Sequence, residues 1–226
     1  MHETLYAAKM QSDKLQIYLY DEIVKDSVNW WTDEKIESDT SANHIRKLLD
    51  ENPNANAIEV YINSNGGDVK EGLAIYNQLK RHKAFVTVIV DGFACSIASV
   101  IAMAGDKVTM GPNTLMMLHH ASCCAYGNPT ELRKAADDLE VIDQTVVESY
   151  RIKAGEKLSE EKLTELLDNE TWLKAEECLS LGLCDEVTKP VDPAVVAAQQ
   201  RFNGAKLEMK NQTEKSVMQK LQALFS

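Results

Sequence analysis

The chain is poor in positive charge and has no long hydrophobic run. Against 24 Lys and Arg stand 35 Asp and Glu, a formal net charge of −11. Phosphate backbones demand clustered cations, so a general nucleic-acid binder is excluded. The apolar stretches, residues 85–90 among them, fall far short of the roughly 20 residues that cross a bilayer. Residues 1–10 lack a basic region followed by an apolar run, so neither membrane insertion nor secretion is expected. No G-x4-G-K-[ST] loop occurs, so the chain brings no ATPase motif of its own. The five cysteines are odd in number and suit no disulfide framework, and a reduced, cytoplasmic setting is expected. What is present is core material. Of 226 residues, 44% are hydrophobic and 26% charged, the profile of one ordinary domain with a small appendage.

The pattern along the chain is that of an α/β protein. Residues 14–20 read as a strand, and 21–39 as an irregular acidic segment bearing Trp30 and Trp31. A helix is expected over 39–52, then a turn around Pro53 and a strand over 57–62. Val69, Leu73, Tyr76 and Leu79 recur at helical spacing, so 69–82 is an amphipathic helix. The β-branched run 85–90 predicts a strand covered on both faces. A nearly all-apolar helix follows at 96–104, then short strands at 107–110 and 115–118. Such alternation predicts βαβ units and a largely parallel sheet. A long helix is expected over 130–154, with Leu132, Ala136, Leu139, Ile142, Val146 and Tyr150 on one side. A helix at 160–167, a short one at 175–181 and a final strand at 183–187 close the core. Residues 188–226, punctuated by Pro190 and Pro193, read as a partly helical or disordered appendage to a domain spanning 1–187.

Three separated pieces carry the chemistry. Asn63-Ser64-Asn65-Gly66-Gly67-Asp68 joins a strand to a helix, and glycine N–H groups beside a helix start can cradle a developing negative charge. Taken alone, it reads better as a plain tight turn. Gly92-Phe93-Ala94-Cys95-Ser96 leads from a buried strand into a buried helix. Ser96 alone reads as a helix cap, with Ser99 its competitor on nearly the same side. Cys95 ranks lower as a nucleophile, because apolar surroundings raise a thiol pKa. Met117-Leu118-His119-His120 ends a strand, and adjacent side chains there point opposite ways, so at most one histidine faces Ser96. An acid is then wanted to hold the imidazole, and Asp168 and Glu170 stand just before Trp172.

Together, Ile62-Asn63-Ser64-x-Gly66-Gly67-x-Val69, Gly92-x-Ala94-x-Ser96, Met117-Leu118-His119 and Ala175-Glu176-Glu177-x5-Gly182-Leu183-x-Asp185 resemble the serine peptidase ClpP and its crotonase-like fold. The resemblance runs from about Leu15 to Val187 in the family's order. It implies repeated ββα units and a handle helix protruding at 130–154. Residue by residue it implies Ser96 as nucleophile, His119 as general base, and the N–H groups of Gly67 and Ile97 as oxyanion hole. Glu170 stands where the family has aspartate, with Asp168 the alternative acid; Asn65 replaces a proline and His120 a Gln or Asn. Residues 75–80, 98–106 and Thr171-Trp172 lean towards phage head maturation proteases of the ClpP type. The implied partners are a polypeptide, such as a capsid or scaffold protein, and further copies in a ring. No metal or organic cofactor is implied, and any unfoldase acts in trans.

Rival readings remain open on the residues. A crotonase-type acyl-CoA enzyme uses the same oxyanion hole on a thioester. A Ser–Lys peptidase shares the glycine turn but not a dependence on His119. His119, His120, Cys123 and Cys124 invite a zinc reading, though their spacing does not converge ligands. A non-catalytic capsid assembly protein on the same fold is the remaining rival.

Overall fold

The computed structural model describes residues 8–11 and 14–189, and side chains from 14 onward. The appendage expected at 188–226 lies almost wholly outside them. The compact unit ends at Thr188.

Among the described residues, ten strands and six α-helices follow in order: β1 (Ala8–Gln11), β2 (Lys14–Tyr20), β3 (Ser27–Val28), β4 (Lys35–Ile36), α1 (Ala42–Glu51), β5 (Ala57–Ser64), α2 (Val69–Arg81), β6 (Phe85–Cys95), α3 (Ile97–Ala102), β7 (Lys107–Met110), β8 (Leu115–Leu118), α4 (Pro129–Ala154), α5 (Glu160–Asp168), β9 (Thr171–Lys174), α6 (Ala175–Ser180) and β10 (Glu186–Val187). The main sheet runs β1-β2-β5-β6-β7-β10, with β8 beside β6 and β9 beside β8. All pairings in it are parallel except β1 with β2 and β8 with β9. This is the mixed α/β, mostly parallel architecture that the alternating pattern predicts.

The core lies between one sheet face and the helices. Ile58, Val60 and Ile62 of β5, and Val86, Val88 and Val90 of β6, are buried against Ile75 and Leu79 of α2 and the all-buried α3. The alternate residues make a polar and aromatic opposite face. There Gln16 donates to Glu59, its partner across the ladder, and Tyr18 stacks on Tyr61 with centroids 4.8 Å apart.

Four expectations are corrected. First, burial alternates along β6, so its β-branched run is covered on one face only; the run reflects β propensity, not two-sided burial. Second, β6 continues through Gly92 to Cys95 instead of stopping at Val90, because its second half pairs with β8. Third, the segment 21–39 is not wholly irregular. It folds a short hairpin of β3 on β4, with Trp30 and Trp31 packed on each other and exposed. Fourth, the final strand is confined to Glu186–Val187. The long helix comes out at Pro129–Ala154, capped by Asn128 in a reciprocal pair with Glu131. Its stripe is buried only at Val146 and Tyr150, while Leu132 and Ala136 are exposed.

Candidate active site

The glycine turn is stitched to the segment before it. Ile23 donates its N–H to the Gly66 carbonyl, and Asp68 donates to the Ile23 carbonyl, both at 2.8 Å. Gly66 also donates to the Ser64 hydroxyl at 3.1 Å. The N–H of Gly67 has no acceptor among the described residues, nor does that of Ile97 at the start of α3. Gly67 sits at φ +144, and a Cβ there would lie 2.2 Å from the Ile23 carbonyl oxygen, so only glycine fits. A Cβ on Gly66 would lie 2.7 Å from Cβ of Ser96. The turn therefore packs directly against the serine.

Ser96 links β6 to α3 with φ 54 and ψ −130. An ordinary cap residue has extended backbone and a side chain bonded to the first turn. Ser96 has neither, as its side chain makes no capping bond. A non-glycine residue at such φ costs on the order of 1–3 kcal/mol, and strain of this kind clusters at functional sites. A sharp strand-to-helix turn of this sort also lifts a hydroxyl clear of the main chain. Ser99 is different. It is fully buried, donates to the Ser96 carbonyl at 2.6 Å and meets the Tyr150 hydroxyl at 2.7 Å. Cys95 is buried, which pushes its thiol up to about 11 and leaves it protonated at neutral pH.

The base and acid candidates come from the neighbouring strands. Ser96 donates its N–H to the Met117 carbonyl at 2.8 Å, two residues before His119. Leu118 pairs with Thr171 in the antiparallel β8–β9 ladder. Continuing that register by one residue on each side sets Glu170 across from His119. Glu170 is itself at φ 47 and exposed. Among the described residues no hydrogen bond joins Ser96 to His119, or His119 to Glu170. The fold gathers the three at one end of β6, β8 and β9 without closing them into a relay.

Asp168 and His120 make a separate pair. His120 Nε2 meets Asp168 at 2.9 Å and Nδ1 meets Asp143 of α4 at 3.0 Å. With both ring nitrogens facing carboxylates, His120 has no free lone pair to take a serine proton. The His119 ring makes no such bond among the described residues. Nothing in the periodicity announced the His120 contacts, which span two helices. Cys123 and Cys124 are exposed, and no group of three His, Cys, Asp or Glu suited to a metal occurs among the described residues.

Residues 11–191 match the Clp protease family. The chain belongs to that family. It is 33% identical over 174 residues to the ATP-dependent Clp protease proteolytic subunit of Deinococcus radiodurans, across 75% of this chain and 83% of that protein. Membership in the Clp protease family makes this a peptidase scaffold, and the strained Ser96 sits inside the matched region. Among the described residues, no helix is long and apolar enough to cross a membrane.

Proposed function

We propose that the chain is a serine endopeptidase in which Ser96 attacks, His119 is the general base and Glu170 holds the imidazole. The observation that carries this is the Ser96 backbone at φ 54, its side chain uncommitted and its N–H tied to the strand that leads into His119. His119 removes the Ser96 proton as Oγ attacks a peptide carbonyl. The N–H groups of Gly67 and Ile97 receive the oxyanion, each contributing about 3 kcal/mol to the transition state. His119 then protonates the leaving amine, and water releases the acyl group by the reverse sequence. Glu170 is preferred to Asp168 because the β8–β9 register points to it and Asp168 is occupied by His120. Binding of substrate closes the relay, as catalytic hydrogen bonds often tighten only in the complex. Acyl-CoA chemistry needs no serine in a strained elbow, so this geometry favours the peptidase.

The finer reading is a head maturation protease of the phage type, acting on a capsid or scaffold protein in the host cytoplasm or the prohead. It rests on the sequence details at 75–80, 98–106 and 171–172. The exposed apolar residues of α4, among them Leu132 and Val141, support self-association into a ring. The Deinococcus relative is named as ATP-dependent. With no phosphate loop in this chain, an ATPase acts in trans where one is used.

Fluorophosphonate labelling of the full chain tests the chemistry. Mass spectrometry should place the adduct on Ser96, and Ser96→Ala should abolish it. Labelling elsewhere, or none, overturns the peptidase reading. Light scattering should give a mass several times that of one chain, and a monomer with full activity rejects the ring.

A further inference from the structure

We propose that His120 is a positioning residue, which clamps α4 to the end of α5 and thereby sets the segment bearing Glu170 against His119. The proposal rests on the peptidase reading and adds a residue to it.

The clamp is built from distant parts of the chain. Asp143 comes from the middle of α4, Asp168 is the last residue of α5, and His120 follows β8. Asp143 grips the main chain as well, because its other oxygen accepts the Ala121 N–H at 2.7 Å. Residues 120 and 121 are thus both held on α4. Adjacent side chains of extended chain diverge, so anchoring His120 on that side leaves His119 to the other.

The far end of the clamp is close to the acid. Asp168 precedes Glu170 by two residues, and Glu170 precedes Thr171, which pairs with Leu118. Between the clamp at Asp168 and the ladder at Thr171 only Asn169 and the strained Glu170 remain. The main chain at Glu170 is therefore held from both sides, and one of those sides is His120.

Charge makes the clamp conditional. A carboxylate oxygen only accepts hydrogen bonds, so both contacts exist together only when both ring nitrogens carry hydrogen. The charged groups facing the ring are Asp143 from α4 and Asp168 from α5. Burial pulls the ring's pKa down, but the Asp168 hydrogen bond and the Asp143 charge outweigh it, and the net shift is upward. A raised folded-state pKa means that the clamp is complete at low pH. It is lost as pH rises through that raised value. Asp143 is the better shielded partner, with 21% of its side chain exposed against 62% for Asp168, so it holds the charge more firmly.

The test follows the second-order rate of fluorophosphonate labelling at Ser96 between about pH 6 and pH 10, which brackets histidine titration. The full chain is compared with His120→Gln, Asp143→Asn and Asp168→Asn, each checked for folding by thermal melting. The wild-type rate should fall on the alkaline side as the clamp opens. His120→Gln, which bonds one carboxylate at most, should lower the plateau about tenfold to a hundredfold, the scale of an ångström-level misplacement. It should also remove the alkaline fall. Asp143→Asn keeps the ring and should move the alkaline fall to lower pH, by more than Asp168→Asn does. If a folded His120→Gln, or Asp143→Asn should the former not fold, keeps the wild-type rate and pH profile while Glu170→Gln is crippled, the clamp is refuted and the peptidase stands. If Ser96 in the wild type is never labelled, both fall.

Discussion

The main-chain N–H of Ser96 donates to the Met117 carbonyl at 2.8 Å, and this bond carries the pairing of β6 with β8 up to the nucleophile itself. Beyond it, β6 ends and the chain turns sharply into α3 at φ 54. The turn's conformation thus comes from the ladder on one side and a buried helix on the other.

Substituting Ser96 separates strain from chemistry. Ser96→Ala removes the hydroxyl and keeps a Cβ at positive φ, so catalysis should fall by about three or more orders of magnitude with little change in stability. Ser96→Gly removes both, and should melt higher than Ser96→Ala by an amount equivalent to about 1 kcal/mol, because glycine adopts this φ without penalty. Calorimetry on the two variants decides it. A glycine variant no more stable than the alanine one shows that the elbow is not strained.

Gly67→Ala should be worse than its single methyl implies. The new Cβ would meet the main chain of Ile23, which cannot swing aside as a side chain does. The turn must move, and the Gly67 N–H with it. Turnover should drop about a hundredfold or more, the scale of losing one oxyanion donor. Stability should fall as well, since the bonds of Ile23 and Asp68 belong to the same turn. Peptide turnover and urea unfolding on one preparation should show both losses; an active, stable variant dissociates the turn from the oxyanion hole.

The two candidate acids differ in what they touch. Glu170→Gln should reduce turnover about ten-thousandfold at most, by leaving the imidazole unoriented and its charge unopposed. Asp168→Asn weakens only the exposed end of the His120 clamp and should cost far less. Steady-state kinetics with equal losses, or with the order reversed, would reassign the acid to Asp168.

How much of this was legible in the residues differs by kind of interaction. Helices α2 and α4 came through because their apolar spacing and caps are local. The continuation of β6 did not, since Asp91-Gly92 reads as a turn. In the structure, Gly92 instead makes room for Asn63, whose side-chain oxygen accepts the Phe93 N–H at 3.2 Å across a shift in register. Strand β9 exists because β8 pairs with it, and four residues carry no periodicity of their own. Ser96, His119 and the glycine turn could be found as motifs, whereas the His120 clamp joins two aspartates 25 positions apart in different helices. Such contacts are set by the packing of α4 and α5, which local patterning does not encode.

Ser99 and Tyr150 supply the last prediction, because their hydrogen bonds have a fixed direction. Ser99 has one hydroxyl hydrogen and spends it on the Ser96 carbonyl at 2.6 Å. The contact with Tyr150 at 2.7 Å must then be donated by the tyrosine. Both hydroxyls are buried, and burial pushes the Tyr150 phenol far above its usual range, outweighing the downward pull of the Ser99 hydrogen bond. Tyr150→Phe leaves Ser99 still donating and should cost about 1 kcal/mol. Ser99→Ala strands the Tyr150 hydroxyl without a partner, leaves the Ser96 carbonyl its bond from the residue 99 N–H at 2.9 Å, and should cost about 1–3 kcal/mol. Adding Tyr150→Phe to Ser99→Ala should then recover stability, because no unpaired donor remains. A double-mutant cycle by urea unfolding measures the coupling. Strict additivity would show that the two hydroxyls act independently, and that α4 does not brace the nucleophile's turn through them.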